Sequence, residues 1–239
     1  MGKLLAMNTL TRILRPALAA TLALTLAACG NNTGPQAQAV KSLTQKLTGQ
    51  TPPPAKLTAP QIAQVLQSTK APVALFVFEK RDGAQGLLTE IETNGAYATF
   101  GNQNRNVIVL RDGMVTATRG LGGDLMSVEE DQLLSLITAR AAGQANYAQR
   151  FLTPEGVTAT LVYLCTTRLG NSQHLAHLAL GPVDSAETAV TVDCVARDAT
   201  TKPQSFSNVH VFDSDGIIVR GRQWLGEIIG FVELAYVRN

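Results

Sequence analysis

Cys29 is the residue whose setting points most clearly to a reaction. It closes the run Leu26-Ala27-Ala28-Cys29 after an apolar stretch from Pro16 to Ala28, with Lys3, Arg12 and Arg15 upstream. A positive n-region, an apolar h-region too short to span a bilayer and small residues before a cysteine form the pattern of a bacterial lipoprotein signal. Cleavage before Cys29 would let its thiol carry diacylglycerol and its amine a third, palmitate-like acyl chain. Each buried methylene contributes roughly 0.8 kcal/mol, so several chains make a stable anchor. The expectation is a tethered protein; an ordinary secretory signal with an incidental cysteine is the alternative. Gly30 stands where enterobacterial lipoproteins retained in the inner membrane carry Asp. The reading is therefore the periplasmic face of the outer membrane, with the inner membrane less favoured.

Two further cysteines, Cys165 and Cys194, remain once Cys29 is acylated. An even pair in an exported chain reads as a disulfide. Strand phase supports it. Val157, Ala159, Leu161, Tyr163 and Cys165 share one face of a strand, and Val190, Val192 and Cys194 share one face of another, so both sulfurs point to the apolar side. Two buried free thiols are the alternative if these strands are not neighbours.

The other chemistry-bearing patterns fall short of a site. Gly120-Leu121-Gly122-Gly123 lacks both G-x-G-x-x-G and Gly-Lys-Ser/Thr, and it follows a hairpin strand, so it reads as a turn and not as a phosphate cradle. Asp213-Ser214-Asp215-Gly216 begins like a calcium loop, but its twelfth position is Trp224, and a hairpin turn fits better. His174 and His177 have no nearby Cys, Asp or Glu to complete a zinc set. His210 shares a strand face with Phe206, Asn208 and Phe212 and reads as a satisfied core or rim histidine. Glu90 and Glu92 alternate with apolar residues and read as solvent-facing. No local signature selects a nucleophile. The expectation is a non-enzyme with no catalytic residue, no metal and no cofactor.

The elements that position these residues can be read from texture. The first 28 residues are signal, and 29–56, rich in Asn, Thr, Gln and Ala and carrying Pro52-Pro53-Pro54, form a tether within which Val40 to Leu47 could make a short helix. Residues 57–239 form the domain. Thr58, Pro60 and the spacing of Ile62, Val65 and Leu66 predict a helix from Ala59 to Ser68. After Pro72 come strands separated by Asp82-Gly83, Asn94-Gly95, Asp112-Gly113 and Asp215-Gly216, the turn chemistry of antiparallel hairpins. The expected strands are 73–79, 86–93, 96–100, 106–111, 114–119, 157–167, 188–197, 205–212, 217–224 and 229–237. About ten strands in one domain predict an all-β antiparallel meander curled into a barrel-like sheet, since a long open sheet exposes its edges. One inserted helix interrupts it. Ser127-Val128-Glu129-Glu130 predicts a capping box ahead of Leu133, Leu134, Leu136 and Ile137, with the acidic run in its first turn. Charge excludes a nucleic-acid partner: without Lys3, Arg12 and Arg15 the 20 basic side chains fall to 17, against 18 acidic ones.

Two stretches carry a family resemblance. The run from Arg111 through Arg119-Gly120-Leu121-Gly122-Gly123-Asp124 to Met126 is similar to the central motif of the YjbF/GfcB-type lipoproteins associated with exopolysaccharide and group 4 capsule operons. Asn208 to Asp213, Gly216, Arg222-Gln223-Trp224-Leu225-Gly226 and Gly230 to Leu234 resemble that family's closing strands. The chain departs from the family at Val219 to Gly221 and at Glu227, where members often carry an aromatic and a proline. The resemblance implies a periplasm-facing lipoprotein with a barrel-like fold that assists polysaccharide production or export, with export proteins or glycan as partners. A carrier of hydrophobic ligands is the rival reading. Arg119, Gly120, Gly122, Gly123, Asp124, Arg222, Gln223 and Trp224 are expected to mark a binding surface or a structural corner, in the latter case with Arg119 and Asp124 as a local ion pair.

Overall fold

Runs of β-branched and aromatic residues, broken by glycines held at positive φ, set the architecture. The computed structural model describes residues 56–152, 156–170, 187–198, 200 and 202–238. The signal, Cys29, the Val40 to Leu47 segment, His174 and His177 lie outside them. In chain order the elements are α1 (Ala59–Ser68), β1 (Val73–Phe78), a short 3-10 turn (Glu79–Arg81), β2 (Ala84–Asn94), β3 (Tyr97–Gly101), β4 (Val107–Arg111), β5 (Met114–Arg119) and β6 (Leu125–Glu129). They continue with α2 (Asp131–Thr138), β7 (Gly143–Leu152), β8 (Thr158–Gly170), β9 (Thr188–Ala196), β10 (Ser205–Phe212), β11 (Ile218–Trp224) and β12 (Phe231–Arg238).

All twelve strands form one antiparallel sheet in the order β5-β4-β3-β2-β1-β12-β11-β10-β9-β8-β7-β6. The first and last strands pair in its middle, Phe76 opposite Leu234. The sheet curls until its edges, β5 and β6, approach each other across a seam, giving a nearly closed barrel. Strand direction sorts the connections between two ends. The turns β1–β2, β3–β4, β5–β6 and β11–β12, with the last residues of β7 and β9 and the first of β8 and β10, form what we call the corner end. The turns β2–β3, β4–β5 and β10–β11, together with α2, the last residues of β8 and β12 and the first of β9, form the hairpin end.

The barrel is filled by side chains. One cluster joins Met114, Leu133, Ile137, Tyr147, Tyr163, Phe206, Phe212 and Trp224, and a second joins Phe76, Leu88, Phe100, Ile108, Leu125, Leu225 and Leu234. Helix α2 lays Leu133, Leu134 and Ile137 into the first. Cys165 and Cys194 are direct cross-strand partners on β8 and β9, fully buried and joined by a disulfide with Cα atoms 4.0 Å apart.

Helix α1 has the predicted bounds. The Thr58 amide donates to Gln61 Oε1 at 2.8 Å, and Ile62, Val65 and Leu66 are half-buried. Its far end is held by Arg238, whose guanidinium donates to the carbonyls of Leu66, Thr69 and Ala71. Three expectations need correction. Strands β6 and β7 were not foreseen. Ser127 does not cap a helix: it lies in β6, opposite Arg150 of β7, and α2 starts at Asp131 with Glu130 as its N-cap. The reason is that Glu130 turns across strands, where its buried carboxylate accepts from Arg111 at 3.0 Å and from the Tyr97 hydroxyl at 3.2 Å. Finally, Glu90 is half-buried, since a bulge between Glu90 and Glu92 puts Ile91 outward instead, 62% exposed.

Candidate functional site

The two stretches singled out from the sequence meet at the corner end. After β5 the chain turns through Gly120 to Asp124 before β6. Gly120, at φ +77, is required on two counts: that backbone region suits glycine, and a Cβ would stand 2.5 Å from the Arg105 carbonyl of the β3–β4 turn. Gly123, at φ +70, lies against Ile228 of the β11–β12 loop, where a Cβ would meet the side chain at 2.5 Å. Gly122 also has positive φ but faces open space.

Asp124 organises this turn. Its carboxylate accepts from the amides of Gly120 at 2.8 Å and Leu121 at 2.9 Å, and from the Thr118 hydroxyl at 3.1 Å. The Thr118 oxygen in turn accepts from the Leu125 amide at 3.0 Å, which links β5 to β6 at the top of the seam. Arg119 does not pair with Asp124, contrary to expectation. Its guanidinium donates to the carbonyls of Thr118 and Leu125, the latter at 3.1 Å, and so ties the end of β5 to the start of β6. The Asp124 oxygens are already taken by three donors.

The second stretch is split between wall and interior. Arg222 forms a two-pronged ion pair with Glu79 of the 3-10 turn, with Nη2 2.8 Å from Oε2, and its guanidinium stacks 3.4 Å above the Phe231 ring. Gln223 is buried and reaches across the barrel to the β4–β5 hairpin, donating to the Gly113 carbonyl at 2.8 Å and accepting from the Val115 amide at 2.9 Å. Trp224 stacks on Phe206 and meets Phe231 edge-on. Its backbone amide donates to Asn208 Oδ1, and its carbonyl accepts from Gln149 Nε2.

The loops of this end are laced together. Lys80 donates to the Glu227 carbonyl, Arg81 to the Leu121 carbonyl, Gly226 lies against Phe151, and Gly230 lies against Lys80. Leu121, Leu225 and Ile229 are buried beneath them. Glu79, Thr118 and Ile228 were not singled out from sequence. Glu79 lies 143 residues from Arg222, so no local spacing could have joined them.

Elsewhere the polar groups serve the barrel. Burial pushes the Tyr163 hydroxyl up to about 12, and it raises Tyr147 further, against the opposing bond from Gln149. Burial also raises Tyr236 to about 12, assisted by the carboxylates of Glu90 and Asp112. His210 is in the core as expected, but it is not satisfied: neither ring nitrogen meets a protein partner, and burial lowers it to about 4. Asp213 accepts from the amides of Asp215 and Ile217, which makes its segment a hairpin turn. At the hairpin end a half-open cavity of about 430 Å³ is lined by Ala98, Leu110, Phe212, Ile218 and Tyr236, with Asp112 at its rim. Among the described residues no group of three His, Cys, Asp or Glu could hold a metal ion.

A family model described as group 4 capsule polysaccharide lipoprotein gfcB, YjbF matches residues 40–237. Among solved structures, the crystal structure of the hypothetical lipoprotein YmcC from Escherichia coli (K12) superposes with a TM-score of 0.57 at 13% identity, covering 77% of this chain and 98% of that one. At that identity the likeness establishes the shared fold. Comparison with curated proteins finds no match.

Proposed function

Because the chain belongs to the family of group 4 capsule polysaccharide lipoproteins, we propose that it is a non-enzymatic, lipid-anchored accessory of exopolysaccharide or capsule production or export. The family match over residues 40–237 is the observation that carries this reading. The Leu26-Ala27-Ala28-Cys29 run supplies the anchor, and Gly30 favours the periplasmic face of the outer membrane. The corner end supports a binding role. Its loops are held by side-chain bonds to one another, which pre-organises a surface for an export protein or the glycan itself. Arg119, Asp124 and Arg222 act there as positioning residues, each spent on backbone groups or on a partner within the barrel.

The test is surface and secreted polysaccharide from a strain lacking the chain, complemented with wild type or with Cys29→Ala. Restoration by wild type alone is the expected result. Unchanged polysaccharide in the deletion strain, under conditions where the chain is made, would overturn the assignment.

The apolar cavity at the hairpin end favours a second reading, a carrier of hydrophobic ligands. Its volume of about 430 Å³ lies within the roughly 300 to 1,000 Å³ of small-molecule sites. Normal polysaccharide in the deletion strain, with acyl-containing molecules recovered from the purified wild type, would select it.

A further inference from the structure

The run from Arg111 to Met126 builds more than the corner turn. Along the seam, Thr116 and Ala117 of β5 and Met126 and Ser127 of β6 line an open groove of about 260 Å³, with Tyr97 and Glu130 at its hairpin-end side. The groove lies on the outer wall of the barrel, since Val109, which also lines it, alternates with the buried Ile108 and Leu110. Two of these residues are set apart from the rest of the molecule. Tyr97, 38% exposed, is the only exposed aromatic side chain among the described residues. Glu130 and Glu233 are the only buried acids among them.

The exposed ring and the buried carboxylate are held together. The bonds from the Tyr97 hydroxyl and from Arg111 both end on Glu130 Oε1, and Arg111 also pairs with Asp131 and lies 5.6 Å from the centre of the Tyr97 ring. A buried ion pair seldom stabilises a fold more than apolar residues of the same volume, so stability alone does not account for a carboxylate here. The Thr116 hydroxyl donates to the Val109 carbonyl at 3.3 Å, which leaves its oxygen able to accept. One guanidinium faces two carboxylates, so the fixed charge beside the groove is negative.

We propose that the seam groove is a saccharide subsite that takes one neutral hexose unit of a glycan chain. A pyranose ring has an apolar C–H face and a rim of hydroxyls. The face packs on Tyr97, Ala117 and Met126, while the rim donates to the Glu130 carboxylate and bonds the Thr116 and Ser127 hydroxyls. The surplus negative charge selects against uronic acids and phosphorylated sugars. This inference rests on the polysaccharide reading above and gives the glycan a place on the barrel wall, which leaves the corner loops to an export protein.

The methionines supply the probe. Of the four in the sequence, Met1 and Met7 belong to the signal, Met114 is buried in the core, and Met126 is half-buried in the groove. The mature chain, labelled with carbon-13 at the methionine methyls, is titrated with glucose, galactose, N-acetylglucosamine and, as the charged counterpart, glucuronate. At least one neutral sugar is expected to move the Met126 signal with half-saturation on the order of 1 to 10 mM, to leave Met114 in place, and to bind about tenfold more tightly than glucuronate. Tyr97→Leu and Glu130→Gln are each expected to weaken binding about tenfold, with Met114 at its wild-type position as the sign of an intact core. A Met126 signal unmoved by every neutral sugar at about 100 mM, or moved equally by glucuronate, overturns the proposal, as does unchanged affinity in both variants. The deletion strain answers a separate question. Sugar binding at Met126 with unchanged polysaccharide keeps the subsite and removes the polysaccharide role; lost polysaccharide without a Met126 response does the reverse.

Discussion

His210 is a titratable side chain used as core. It is fully buried between the barrel-facing positions of Asn208 and Phe212 on β10, and burial holds it near 4 against an ordinary value of 6.5. The folded state therefore resists a proton that the unfolded chain accepts. Above pH 6.5 both states are neutral and His210 contributes no pH dependence. As pH falls from 6.5 to 4 the unfolded state gains protons first, and stability declines by about 3 kcal/mol from this group alone. Replacing His210 by Leu removes that component, so the stability of wild type relative to the variant should fall by about this amount between pH 7 and pH 4, measured by urea unfolding. A constant difference across that range would show that His210 does not titrate this way. Sequence phase placed this residue inside but could not show that nothing bonds its nitrogens, because satisfaction depends on strands distant in sequence. The same limit applied to Asp124. Its place beside the glycines was legible, whereas its three donors were not, and Arg119 was wrongly given to it.

At the scale of elements, strands with a strong local signature were legible to within a few residues. Strand β5 and strand β10 have the foreseen bounds, because alternating apolar residues and flanking turn residues point the same way. Strand β7 was missed because Gly143, Gln144, Asn146 and Gln149 give it little intrinsic preference for extended backbone. It forms through its pairing with β8, from Gly143 opposite Thr167 to Leu152 opposite Thr158. Strand β6 was missed because Ser127 and Glu130 imitate a helix start. The cysteine pair was legible because phase is a local property and survives ignorance of the topology. The structure adds that Cys165 and Cys194 face each other in register, at a sequence separation of 29. Replacing both with Ala should lower unfolding stability by about 3 to 4 kcal/mol, with the added loss of packing around Tyr163 and Phe206. Retention of the wild-type urea midpoint in the double variant would show that the sheet holds β8 and β9 without the link.

At the scale of the molecule, closure was legible and its arrangement was not. A meander of short hairpins implied a curled sheet, but nothing local says that the chain's first strand pairs with its last. In the structure β1 lies between β2 and β12, and the seam falls instead between β5 and β6, which are consecutive in sequence. The consequence is that the sheet cannot be completed until the final strand is present. Strand β12 covers one edge of β1 and one edge of β11, and it contributes Val232 and Leu234 to the core. A chain ending at Gly226 exposes both edges and loses those contacts together with the Arg238 clamp on α1. It is expected to show no cooperative urea transition and no fixed near-ultraviolet circular dichroism, since the unpaired backbone groups and the missing core are too costly for a marginally stable domain. By contrast, the β5–β6 seam is held by side chains, Thr118, Arg119 and Asp124 at the corner end and Glu130 with Arg111 and Tyr97 at the hairpin end, so severing it does not remove a strand from the sheet. A cooperative transition in the truncated chain would mean that β1 to β11 already form a self-sufficient sheet, and that β12 closes the barrel only after folding.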